Sequence, residues 1–84
     1  MKNILTIAGY DPSSGAGVTR DLDTFFSLGC HGLSVPICFV VQGPRGVRDT
    51  HPVPLDQFAS MLKVIEEEVS VDGVKIGVVW DSPY

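Results

Sequence analysis

The chain reads as an α/β domain with a mostly parallel sheet and crossover helices. Three observations point there. Short apolar runs alternate with amphipathic helical stripes, Gly, Pro, Asp and Ser punctuate the junctions, and the order is β-α-β-(extended)-α-β. Parallel neighbours need a long return connection, which the helices supply, and such crossovers are expected to be right-handed.

The first element is Ile4-Leu5-Thr6-Ile7-Ala8, a nearly continuous apolar run halted by Gly9. A run of this kind fits a strand covered on both faces. The loop Asp11-Pro12-Ser13-Ser14-Gly15 is built from turn formers. Val18, Leu22, Phe25 and Phe26 then fall on one helical stripe between Ala16 and Leu28, and Gly29 sits where a left-handed stop belongs. Leu33 to Val41 is the second strand, rich in Val, Ile and Phe, with Pro36 demanding an edge or a bulge. Arg45 to His51 is either a short extended segment or a loop. Pro54 opens a second helix whose Leu55, Phe58, Met61, Leu62, Ile65 and Val69 form the clearest apolar stripe in the chain. Asp72-Gly73 turns into a third strand, Val74 to Val79.

Composition narrows the function. The 84 residues allow one small domain with a thin core, burying roughly 60–65% of its unfolded surface. The net charge is −4 and the six basic residues are scattered, which argues against a nucleic-acid or anionic-membrane surface. The longest apolar stretch is too short to span a bilayer and the N-terminus lacks a secretory pattern, so a cytoplasmic location is expected. Cys30 and Cys38 fit neither a redox pair nor a zinc site, and His31 and His51 have no ligand neighbours at suitable spacing; reduced thiols and no metal are expected.

In parallel sheets ligands sit outside the carboxyl ends of the strands. Here those ends carry Gly9-Tyr10-Asp11, Gln42-Gly43 and Val78-Val79. Gly15-Ala16-Gly17 is not a dinucleotide fingerprint, because the third glycine position is Arg20, and no glycine-lysine-Ser/Thr triplet exists for a phosphate loop. Small residues at a helix start still leave amides free for a ligand, or serve only as a tight turn. Pattern alone leaves Gln42 as either a ligand reader or a turn residue, and Asp21 as either a site carboxylate or a helix charge suited to the dipole.

Four segments together resemble the phosphomethylpyrimidine kinase (hydroxymethylpyrimidine kinase) family of ribokinase-like enzymes. They are Thr6 to Val18, Asp21 to Phe25 with Leu28 to Gly32, Ser34 to Gln42 with Arg45-Gly46-Val47, and Val74 to Val78. They run in order and cover nearly all of residues 4–79. The resemblance implies an ATP- and Mg²⁺-dependent kinase of hydroxymethylpyrimidine and its phosphate in thiamine biosynthesis. It implies that residues 1–84 are a single partial domain, the N-terminal third of the family's domain, and that the chain supplies the substrate-binding part without catalytic residues, metal or nucleotide site. Carried over by position, Asp21 would bond the pyrimidine or its hydroxymethyl group and Gln42 would read the ring nitrogen and amino group. Ala16 would give a backbone amide, Gly9 would lie beside the ring, and Val78 would pack against it.

Departures from the family are Tyr10 for a small residue, Ser14 for a glycine, Arg20 for a small residue, and Gly43-Pro44 for Asn-Thr. Tyr10 is expected to narrow or cap the pocket. On this reading the isolated chain lacks kinase activity and leaves a sheet flank bare. It would then pair with a second copy or with a complementary C-terminal fragment. The other reading is a non-catalytic pyrimidine- or pyridoxal-binding module, or a degenerate remnant.

Overall fold

The computed structural model describes residues 1–43 and 45–77. The elements run β1 (Asn3–Tyr10), α1 (Gly17–Ser27), β2 (His31–Gly43), β3 (Gly46–Pro52), α2 (Leu55–Glu68) and β4 (Gly73–Ile76). They form one four-stranded sheet in the order β3-β2-β1-β4. β1 is central and parallel to both β2 and β4, while β3 runs antiparallel to β2.

The sheet therefore has one strand more than the three apolar runs suggested. β3 carries Arg48, Asp49, Thr50 and His51, and only Thr50 is not exposed. A strand held by backbone pairing on a sheet edge needs no apolar period, so periodicity does not reveal it. Its direction follows from chain length: two residues separate β2 from β3, and that permits only a hairpin.

Pro36 is accommodated by a bulge. The β1 partners step from Pro36, opposite Ala8, directly to Cys38, opposite Gly9. The ladder with β3 begins only at Cys38, so the missing proline donor faces no strand on that side. Both devices open to an interior proline are used at once.

α1 ends as its glycine predicts. Gly29 adopts φ +78°, its amide donates to Phe26 O, and the amide of Cys30 donates to Phe25 O. This pair of bonds satisfies the last carbonyls of the helix. α1 packs on β1 and β2, whereas among the described residues α2 meets only β2. The core is Leu5, Ala8, Val18, Phe25, Val35, Cys38 and Val53, concentrated where α1 lies on the sheet. Three polar side chains among the described residues are buried with it: Thr6, Asp11 and Asp21. Their partners define the site. No described helix is long and apolar enough to cross a membrane.

Candidate functional site

The loop between β1 and α1 is organised by Asp11. Its Oδ1 accepts from the Ser13 amide at 2.8 Å and the Ser13 hydroxyl at 2.7 Å. Its Oδ2 accepts from the amides of Gly15 and Ala16, each at 3.1 Å, and from Gln42 Nε2 at 3.2 Å. The Asp11 carbonyl accepts from the Ser14 amide and the Thr19 hydroxyl. Ala16, the residue before α1, makes no side-chain cap of its own. The Asp11 carboxylate takes that role from outside, setting negative charge against the helix start. The Ser13 hydroxyl bond, helped by the amides of Ser13, Ala16 and Gly15, outweighs desolvation and holds the Asp11 carboxyl below the usual Asp range.

Gly17 makes this geometry attainable. It has φ +77°, and a Cβ there would stand 2.1 Å from the carbonyl oxygen of Gly9. The helix start thus lies directly against the end of β1, where Tyr10 bridges to Gly17. Only a residue without a side chain allows that approach.

Asp21 is the second buried carboxylate. Its Oδ2 accepts from Thr6 Oγ1 at 2.6 Å and its Oδ1 from Lys75 Nζ at 2.5 Å. One side chain thereby ties α1 to the centre of β1 and to β4. Lys75 is half exposed and Asp21 is not, so the pair sits at a boundary with its ammonium toward solvent. These groups wall a cleft of about 400 Å³ between the loop, the first turn of α1 and the end of β4. Gly9, Asp11, Ala16, Arg20, Asp21 and Lys75 all line it.

Of the residues singled out in the sequence, Gly9, Ala16 and Asp21 meet at this cleft. Gln42 stands behind Asp11 and reaches the cleft through that carboxylate. With Nε2 toward Asp11, its Oε1 and second N–H remain for another partner. The Ala16 amide already has an acceptor in Asp11. Val78 lies outside the described residues. Tyr10 packs edge-on against Phe39, centroids 6.0 Å apart, and is not part of the cleft wall.

Sequence reasoning passed over Asp11, Thr6 and Lys75. Asp11 had a visible signal: Asp-Pro-Ser-Ser is a sequence in which an Asx side chain bonds the backbone two residues on. Thr6 and Lys75 are single polar residues inside apolar runs, and nothing in one dimension pairs them across sixty-nine positions.

The chain matches the phosphomethylpyrimidine kinase family over residues 11–84. It belongs to that family. It is 45% identical to the hydroxymethylpyrimidine/phosphomethylpyrimidine kinase of Escherichia coli over 76 residues, which is 90% of this chain and 29% of that protein. It superposes on the phosphomethylpyrimidine kinase of Clostridium difficile with a TM-score of 0.91 at 33% identity, covering 96% of this chain and 35% of that one. It also superposes on the pyridoxal kinase of Staphylococcus aureus solved with AMP-PCP and pyridoxal, with a TM-score of 0.83 at 34% identity, over 93% and 29% of the two chains. The fold is accordingly that of the ribokinase-like kinases, and the chain spans about a third of the length of the relatives it matches.

Proposed function

We propose that this chain is the substrate-binding portion of a cytoplasmic kinase that phosphorylates hydroxymethylpyrimidine and its phosphate with ATP in thiamine biosynthesis, and that it is inactive alone. The observation that carries this reading is the buried Asp21 carboxylate in the wall of a cleft at the carboxyl end of β1, clamped by Thr6 and Lys75. A carboxylate fixed in this way presents its remaining lone pairs in one direction. An aminopyrimidine carrying a hydroxymethyl group offers the N–H and O–H donors to meet them. Gly9 and Ala16 flank the ring, and Gln42 reads its edge with the amide groups that Asp11 leaves unused. Among the described residues no three His, Cys, Asp or Glu side chains come together as a metal site.

Calorimetric titration of hydroxymethylpyrimidine into the chain tests the assignment. Asp21→Asn and Gln42→Ala should each weaken binding by about tenfold, the scale of one lost hydrogen bond to a charged or buried partner. Equal affinity in wild type and both variants would remove these residues from the site. Substrate-dependent ATP turnover by the purified 84-residue chain would overturn the claim of inactivity.

The likeness to pyridoxal kinase favours a second reading, a module that binds a pyridoxal-like ring. Tighter binding of pyridoxal than of hydroxymethylpyrimidine in the same titration would select it.

A further inference from the structure

We infer that Arg20 makes the cleft selective for an anionic ligand. Resting on the function proposed above, this means the phosphate ester of the pyrimidine over its free alcohol. The inference follows from the cleft's donors and acceptors. Five donors occupy the Asp11 carboxylate: two from Ser13, and one each from Gly15, Ala16 and Gln42. Thr6 and Lys75 hold the two oxygens of Asp21, and the Lys75 charge is matched by that carboxylate. Arg20 lines the same cleft from the first turn of α1 and is exposed. It makes no salt bridge with any described carboxylate, although Asp23 lies three residues on, a spacing at which helix pairs form.

A guanidinium offers five N–H donors and accepts nothing. Among the described residues the Arg20 guanidinium has no hydrogen-bond or ion-pair partner, so its donors are open to a ligand in the cleft. Helix stability does not account for the residue, since a cation in the first turn faces the positive end of the helix dipole. A phosphate ester brings charge and several acceptor oxygens in the planar arrangement that arginine grips with two parallel bonds. A neutral hydroxymethyl group brings a single oxygen and no charge.

The test is titration of hydroxymethylpyrimidine and of its monophosphate into wild type, Arg20→Gln and Arg20→Lys, with circular dichroism to verify the fold. Wild type should prefer the monophosphate by about tenfold, equivalent to about 1.4 kcal/mol. Arg20→Gln should bring the ratio of the two dissociation constants to about one, and Arg20→Lys should restore part of it. A wild-type ratio near one, or a ratio unchanged in Arg20→Gln, overturns the role of Arg20 and leaves the pyrimidine assignment standing. Failure of wild type to bind either compound overturns both.

Discussion

Both helices carry an apolar stripe, yet they fare differently. α1 buries Val18, Asp21 and Phe25 against β1 and β2. α2 buries none of its residues; Phe58, Met61, Leu62 and Ile65 are half covered, and Leu55 is 80% exposed. The contrast continues in the strands beside them, where β1 contributes Leu5, Thr6 and Ala8 to the interior while Val74 and Ile76 of β4 lie open. Amphipathicity thus records the surface a helix is written to bury, and burial depends on what packs there. The half of the fold that builds the cleft holds the buried core, although Lys75 of β4 completes its wall and Phe26 of α1 is 80% exposed. The half around α2 and the β4 edge has its apolar surface only partly covered by the described residues.

The sharpest way to break this comparison is to remove one aromatic from each helix. Phe25→Ala should cost about 3–4 kcal/mol in urea denaturation, the usual loss for a buried aromatic, and Phe58→Ala about 1 kcal/mol. Equal losses would mean that α2 contributes as much packing as α1. Next come two glycines with nearly the same backbone, Gly17 at φ +77° and Gly29 at φ +78°. Gly17→Ala adds the clash with Gly9 O to the left-handed strain and should cost about 3 kcal/mol. Gly29→Ala meets nothing within 4 Å and should cost about 1 kcal/mol. Thermal denaturation of the two variants separates close approach from backbone preference.

Asp11 adds a pH test of the cleft half. Its carboxyl is held below the ordinary value, so the folded state binds its proton less readily than the unfolded state does. The stabilisation is therefore complete above the unfolded value of about 3.9 and is lost as pH falls through the lower folded value. Asp11→Asn should lower the thermal midpoint at pH 7 and leave a shallower decline between pH 4 and pH 2. Parallel curves for wild type and variant would show that the loop bonds do not discriminate between the charged and neutral carboxyl.

The regular elements were legible because their signals are local. The stripe of α1, the Gly29 stop and the apolar run of β1 each depend on neighbours a few residues away, and each lies within a few residues of its expected place. What escaped depends on distant partners. β3 is polar and exists because β2 offers it a backbone ladder. Lys75 is an alternate residue of an apolar strand until β4 comes to lie beside β1 and carries it to Asp21. The resemblance pointed to Gln42, but its tie to Asp11 spans thirty-one positions and appears only once β2 runs beside the loop. Pro36 is a middle case, since proline announces a fault in the ladder without saying that a bulge and an unpaired side will both be used.

The smallest expected effect concerns reactivity, and it probes the border between the two halves. Cys38 is buried on β2, opposite Gly9 of β1 on one side and Pro52 of β3 on the other, and desolvation pushes its thiol up from the ordinary value. Cys30 lies half exposed just after α1. The thiolate is the reactive form, so burial slows Cys38 both by access and by protonation. In native buffer a thiol reagent should label Cys30 rapidly and Cys38 only as the protein opens, and urea should equalise the two. The labelling rate of Cys38 then reports how β2 is held. If it tracks global unfolding, the β2–β3 hairpin is locked to the cleft half through the β1 ladder. If Cys38 is labelled much faster while the α1 signal persists, β2 and β3 open independently, and the cleft-building half is the more stable unit.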